Sequence, residues 1–171
     1  MKMLDVLFIL LSLVILTGCS TNESKYDYES KADFTNLNTF DWFAVPQEAH
    51  LNEMVVKDVK DAVNRELAAK GMKKVSENPS FLIALHISKQ LKRNDWNLSD
   101  IRYGSYRTRL PQVYEEGTMI LDFVDPETKE LLWRGSATAM VKSVLTPEEQ
   151  KNRINKVVSK ILDKFPPTQS R

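Results

Sequence analysis

The sequence predicts an α+β fold: a two-layer sandwich with a mainly antiparallel sheet and two helices packed on one face. Two segments carry an apolar stripe at helical spacing, and several shorter segments alternate apolar and polar side chains. These segments follow the order strand, strand, helix, three strands, helix, without the βαβ alternation of a doubly wound sheet. Because each helix offers only one apolar stripe, packing both on one sheet face buries every stripe at once.

The first two strands and the first helix follow from local patterns. Aromatic and polar side chains alternate in residues 25–30 (KYDYES) and 38–44 (NTFDWFA), which predicts two half-buried strands. From Leu51 the apolar residues recur at intervals of three and four, and Gly71 follows as a C-cap, which predicts a helix. Its stripe consists of Leu51, Val55, Val59, Ala62, Val63 and Leu67.

The next three strands include a hairpin. Residues 80–91 alternate with period two, which places His86 on the face away from the main core. Residues 114–125 and 130–142 flank a turn at 126–129 that contains proline and polar residues, so we expect a hairpin. Its inward side chains are predicted to be Met119, Leu121 and Phe123 on one strand and Leu131, Trp133, Ala137 and Ala139 on the other.

A second helix closes the domain. Thr146 is the predicted N-cap, Pro147 occupies the first helical position, and Glu149 completes a capping box. Pro166 and Pro167 are expected to end the helix. Its apolar stripe consists of Ile154, Val157, Val158, Ile161 and Phe165.

Composition excludes several classes of function. Lys and Arg total 24 against 23 for Asp and Glu among 171 residues, so no net positive field favours nucleic acid, and we predict no nucleic-acid partner. A single cysteine excludes an internal disulfide framework and multi-cysteine metal sites. The two histidines, His50 and His86, would need carboxylates to complete a metal site. We therefore predict no metal and no cofactor.

The amino terminus has the pattern of an export signal. After the basic Lys2, residues 6–16 (VLFILLSLVIL) form an apolar run of the length of a signal-peptide h-region. A transmembrane helix needs roughly 20 apolar residues, so this run is too short to span a bilayer comfortably. The alternative is an uncleaved helix with Cys19 buried beside it. We assign residues 1–18 to a signal peptide.

The residues around Cys19 are similar to a lipid attachment site. Leu16-Thr17-Gly18-Cys19 resembles a bacterial lipobox. The resemblance implies cleavage between Gly18 and Cys19 and attachment of diacylglycerol to the cysteine sulfur, with further acylation of its amine. Two or three acyl chains make a durable anchor. In lipoproteins of Gram-negative bacteria, a residue such as Ser20, rather than Asp, implies sorting to the outer membrane, here with the domain facing the periplasm.

The mature chain resembles one protein family along nearly its whole length. Residues 19–25 form the lipidated cysteine and a short tether, residues 26–167 the folded domain, and residues 168–171 a tail. The strings YDYESKADFTNLNTFDW, VNRELAAKGM, YEEGTMILDFVDPETKELLWRGSATA and ILDKFPP look like hallmarks of the DUF4136 family of bacterial lipoproteins. The resemblance implies a compact α+β domain. It supplies no catalytic residues, because that family has no assigned function.

The segment 92–114 combines arginines and aromatic residues without a sustained period. A loop of about 20 residues is long for a compact domain, and such loops are often functional. Arginine beside aromatic rings is typical of contact surfaces. The alternative is a connection whose tyrosines fold back over the sheet. The candidate binding residues are Arg93, Trp96, Arg102, Tyr103, Tyr106 and Arg107.

No nucleophile elbow, P-loop, dinucleotide fingerprint or zinc-protease motif is found. The leading hypothesis is therefore a membrane-anchored, non-enzymatic envelope lipoprotein that binds an envelope protein or a cell-wall component. The alternative is a glycan-binding or cell-wall-acting enzyme that uses Glu115 and Glu116. These two acids are adjacent on a strand, so we expect their side chains to point to opposite faces.

Overall fold

Six strands form one sheet that carries both helices on the same face, which confirms the predicted fold class. The structure is a computed structural model that describes residues 23–43, 52–93, 113–142 and 144–167. In chain order the elements are β1 (Glu23–Tyr28), β2 (Thr39–Trp42), α1 (Glu53–Ala69), β3 (Lys73–Lys74), β4 (Phe81–Arg93), β5 (Val113–Val124), β6 (Leu131–Met140) and α2 (Pro147–Leu162).

The strand order in the sheet is β1-β6-β5-β4-β2-β3. The first four of these strands pair antiparallel, while β2 pairs parallel with both β4 and β3. The two-residue strand β3 is not predicted by the sequence, because two exposed lysines show no alternation. It forms because the chain leaving α1 returns beside β2, where the Lys73 amide donates to the Asn38 carbonyl.

Both helices bury most of the stripe that the sequence predicts. Of the predicted α1 positions, Val55 is half-buried and Leu51 lies outside the described residues. Within the described residues, the buried positions of α1 are Val59, Ala62, Val63 and Leu67, and those of α2 are Ile154, Val157, Val158, Ile161 and Leu162. The inward face of the sheet supplies Phe81, Ile83, Leu85, Leu121, Phe123 and Trp133. The core therefore lies between the helix layer and one face of the sheet, and the opposite face is open.

Helix ends follow the predicted capping chemistry. The Thr146 side chain accepts from the Glu149 amide, and the Glu149 carboxylate accepts from the Thr146 amide, which completes the capping box. This second bond lowers the pKa of the Glu149 carboxyl. Gly71 follows α1 with a φ of 86°, a conformation that glycine adopts without steric cost.

One predicted helix end and one predicted core position are corrected. Helix α2 ends at Leu162, so Phe165 lies beyond the helix, although it is buried against Phe123 and Trp133. Leu131 does not face the core, because a β-bulge at Phe123 and Val124 shifts the hairpin register and leaves it exposed.

The sheet begins earlier than predicted. Strand β1 starts at Glu23, so residues 23–25, assigned above to the tether, already pair with β6. The predicted signal peptide and Cys19 lie outside the described residues. Among the residues that are described, no helix is long and apolar enough to cross a membrane.

Candidate functional site

A row of charged side chains crosses the open face of the sheet. Alternation along β4, β5 and the part of β6 beyond the bulge points their even-numbered residues away from the helices. Register then places Asp122 of β5 opposite Arg134 of β6, and Arg134 opposite Asp27 of β1. His86 of β4 points to the same face, as the period-two pattern predicts, and lies diagonally beside Asp122, because its register partner on β5 is Ile120. We call Asp27, Arg134, Asp122 and His86 the charged row.

The centre of the charged row is a bidentate ion pair. Arg134 donates from Nε to Asp122 Oδ1 at 2.6 Å and from Nη2 to Oδ2 at 2.6 Å. His86 Nε2 lies 3.5 Å from the same Oδ2. Asp122 is only 5% exposed, whereas the Arg134 side chain is 49% exposed. The pair is therefore buried on its acidic side and open to solvent on its basic side.

The carboxylate determines the electrostatics of the pair. The hydrogen bonds from Arg134 to Asp122 raise the pKa of the guanidinium above its usual value, against the opposing effect of partial burial. The negative charge of Asp27 acts in the same direction. Arg134 is thus a fixed cation whose outer side is available to a partner.

Sequence reasoning places His86 correctly but misses the pair beside it. Asp122 interrupts the apolar string ILDFV, and Arg134 interrupts LLWRG on the other strand of the hairpin. Opposite charges at such positions are a signal for a cross-strand pair. The bulge hides that signal, because counting outward from the turn gives a register that is shifted by one residue.

Toward the N-terminal end of β5, the open face is polar. The hydroxyls of Thr118 and Thr138 lie 3.1 Å apart, and Lys92 lies 3.8 Å from Glu116. Across the described residues, no group of three or more His, Cys, Asp or Glu side chains is placed to hold a metal ion. This face offers directional hydrogen bonds and fixed charges to a polar partner.

Glu115 and Glu116 diverge, as their adjacency predicts. Glu115 lies 3.6 Å from Lys89 on the helix side of the sheet, and Glu116 pairs with Lys92 on the open side. A glycosidase pair requires two carboxylates that face the same sugar from a set distance. The geometry that the enzymatic hypothesis needs is not present at these two residues.

The predicted binding segment is only partly described. Arg93 is exposed at the end of β4 and pairs in register with Val113, the first residue of β5. The remaining candidates, Trp96, Arg102, Tyr103, Tyr106 and Arg107, lie outside the described residues. The same holds for the predicted lipidation residues Gly18 and Cys19.

An open cleft borders α1. It has a volume of about 550 Å³ and includes Trp42 and Lys60. The Lys60 amine lies 5.1 Å from the Trp42 ring centroid, and Trp42 Nε1 donates to Asn64 Oδ1 at 3.1 Å. One face of the ring and the indole N–H are therefore already engaged.

A second, apolar groove of about 220 Å³ lies between the helices and the sheet. Val55 of α1, Ile87 of β4 and Val157 of α2 contribute side chains to the groove. Gly117 and Ala139 also line it, and their lack of a large side chain leaves the groove open. The groove opens at the end of the sheet where β4 and β6 finish and where both helices begin. We call it the apolar groove.

Comparison with known families and curated proteins gives one match. A family model described as "Domain of unknown function (DUF4136)" matches residues 24–167. No curated protein sequence matches the chain.

Solved structures share the architecture at low sequence identity. A PDZ domain protein from Parabacteroides distasonis superposes with a TM-score of 0.56 and 13% identity over 87% of this chain. This chain spans 37% of that protein's length, and the likeness concerns the fold alone.

Two further structures superpose less closely. The PelC dodecamer from Paraburkholderia phytofirmans gives a TM-score of 0.45 at 12% identity, over 88% of this chain and 99% of that one. A neuraminyllactose-binding hemagglutinin homolog from Helicobacter pylori gives a TM-score of 0.41 at 13% identity, over 78% of this chain and 88% of that one.

Proposed function

Since the chain belongs to the DUF4136 family through residues 24–167, we propose that it is a membrane-anchored envelope lipoprotein with a non-enzymatic binding domain. The anchor is the diacylglyceryl group on Cys19. The domain binds another component of the cell envelope, a protein or a cell-wall polymer, through the open face of its sheet.

One observation carries the binding part of this proposal. The open face holds a charged row whose central guanidinium is fixed by a buried carboxylate and has its outer side in solvent. A preorganised cation loses little conformational entropy when it meets a polar or acidic group, so it favours binding. The diverging carboxylates of Glu115 and Glu116 support binding rather than hydrolysis at the neighbouring strand.

The anchor is supported by the lipobox and by where the fold begins. Strand β1 starts at Glu23, four residues after Cys19, so a folded domain follows the proposed attachment site almost directly. We infer that the domain is held on the periplasmic side of the outer membrane, as Ser20 implies for a Gram-negative host.

Replacing Cys19 with alanine tests the anchor. We expect Cys19→Ala to lose the added lipid mass and to remain as the unprocessed precursor, because the sulfur that accepts the diacylglycerol is gone. The matched control is Ser20→Asp, which keeps the lipid and moves the protein from the outer to the inner membrane fraction. Intact mass and membrane fractionation give the readouts. Unchanged lipid mass in Cys19→Ala would refute the anchor.

In-cell photo-crosslinking tests the binding surface. A photoreactive amino acid at Ser136, which lies on the open face beside Arg134, should give one recurrent adduct that Arg134→Glu abolishes. The control position is Lys57, whose side chain is 76% exposed on the helix layer. The same adducts from both positions, or adducts that survive Arg134→Glu, would contradict the proposed surface.

A further inference from the structure

One row of paired residues shows which end of the sheet lies nearest to Cys19. The row starts at Glu23, the first residue of β1, and crosses four strands. Its other members are Thr138, Thr118 and Ser88. Beyond this row β4 and β5 continue together as an arm, residues 89–93 and 113–117, and β6 accompanies them only as far as Met140. At about 3.4 Å per residue, the arm extends roughly 17 Å past the start of β1.

The tether is about as long as the arm. Glu23 is four residue steps from Cys19, with three residues between them, and a fully extended chain of four steps spans at most about 14 Å. A bilayer that holds a lipid on Cys19 must therefore lie within this distance of Glu23. When this end of the sheet faces the bilayer, the tip of the arm can reach the bilayer.

Exposed apolar side chains are concentrated at the same end. Eight large apolar side chains are exposed among the described residues, and five of them lie on the arm, at the end of β6, just before α2 or in the first turn of α1. These five are Met54, Leu91, Val113, Met140 and Val144. Leu91 is 78% exposed and Val144 is 89% exposed. Single exposed apolar residues are ordinary, whereas a cluster of them marks an interaction site.

The cluster surrounds the mouth of the apolar groove. Met140 lines the groove directly, and Val144 precedes Leu145, which also lines it. Leu91 and Val113 lie diagonally across the arm on the helix side of the sheet. This end of the domain thus presents a broad apolar rim rather than a pocket for one small molecule.

Charged groups at this end suit the headgroup region. The arm carries Lys89, Lys92 and Arg93 against Glu115 and Glu116, so it has no net negative charge to repel anionic lipids. Lysine side chains can lay their methylenes along apolar surface while the amine stays in the aqueous layer.

We propose that this end of the domain lies against the bilayer, with the arm and the segment before α2 in contact with the lipid headgroups and upper acyl chains. The proposal rests on the lipid anchor at Cys19. It makes the tether and the arm two contacts with one membrane, which fixes the orientation of the sheet. The charged row then faces sideways, clear of the lipid, and the β5–β6 turn points away from the membrane.

Site-directed fluorescence in vesicles tests this orientation. The full-length lipidated protein is reconstituted into vesicles of phosphatidylethanolamine and phosphatidylglycerol, and an environment-sensitive fluorophore is attached through Leu91→Cys. Lipid on the Cys19 sulfur leaves the introduced thiol as the single reactive one. The matched control is Leu131→Cys, another exposed leucine of the sheet, at its opposite end. We expect the emission of the label at position 91 to shift to shorter wavelength and to be quenched when the acyl chains are brominated. The emission of the label at position 131 should show neither change.

A second variant tests whether the apolar rim makes the contact. With the label at Val144→Cys, the added change Leu91→Asp should reduce quenching by the brominated lipid, because a carboxylate replaces an apolar contact at the tip. Both positions are exposed, so we expect these variants to fold. Circular dichroism checks that they do. Quenching at position 144 that is unaffected by Leu91→Asp would count against the arm as a membrane contact.

The outcomes separate the orientation from the anchor. Protein that floats with the vesicles but gives the same emission at positions 91 and 131 overturns the orientation and leaves the anchor standing. A wavelength shift without quenching by brominated lipid means that a protein surface, such as a second copy, covers this end, which also overturns it. Protein that lacks the lipid mass and does not float overturns the anchor and, with it, this inference.

Discussion

Replacing Phe165 with alanine should destabilise the fold by about 3–5 kcal/mol, the usual cost of removing a fully buried aromatic side chain. Phe165 is 1% exposed, and its ring packs against other aromatic rings of the core. Its ring centroid is 4.6 Å from that of Phe123, 5.1 Å from Trp133 and 5.9 Å from Phe81. Because typical domains are stable by only about 5–15 kcal/mol, this one change removes a large part of the free energy of unfolding.

Urea denaturation followed by circular dichroism measures this loss. The matched control is Phe43→Ala, which removes the same side chain from a position that is 41% exposed. Surface substitutions of this kind usually change stability by no more than about 0.5 kcal/mol. Equal losses for the two variants would mean that Phe165 does not anchor the core.

Replacing Arg134 with methionine should cost about 3 kcal/mol, near the lower end of the range for breaking a buried ion pair. The change leaves Asp122 buried without its guanidinium partner, with His86 Nε2 3.5 Å from its carboxylate. The converse change, Asp122→Asn, should cost less. In that variant the residue that loses its ionic partner is Arg134, which is half-exposed, so water can solvate its guanidinium. The order of the two losses is the decisive result.

A double variant separates the charge effect from lost packing. Asp122→Leu combined with Arg134→Met should be more stable than Arg134→Met alone, because no unpaired carboxylate remains. The control is Lys57→Met at an exposed pair with Asp61, where we expect about 0.5 kcal/mol or less. Urea titrations of all variants give the comparison. A double variant no more stable than Arg134→Met would contradict a buried charge as the cause.

Local patterns account for most of the fold. The stripe in α1, the capping box at Thr146 and the alternation around His86 each depend on residues within one segment, and the structure confirms all three. Periodicity and capping act over a few residues, so they can be recognised without knowing what the segment packs against.

Predictions failed where one segment depends on another. Phe165 has helical spacing from Ile161, yet it reaches the core from beyond the helix end. Leu131 alternates correctly with Trp133, yet the bulge removes it from the inward face. Spacing along the chain gives neither the end of a helix nor a bulge, because both depend on how the neighbouring elements pack.

The sequence by itself determined the order of the two helices and of every strand except β3, the caps, the inward stripes and the expectation of a lipid anchor. Only the tertiary structure decided that Asp27, Arg134, Asp122 and His86 come together on the open face, and that the arm shares an end of the sheet with the start of β1. Asp27 and His86 come from strands outside the hairpin that holds Asp122 and Arg134, and within that hairpin the bulge sets the register. Their pairing is set by the summed packing and hydrogen bonding of whole strands, which no single segment encodes.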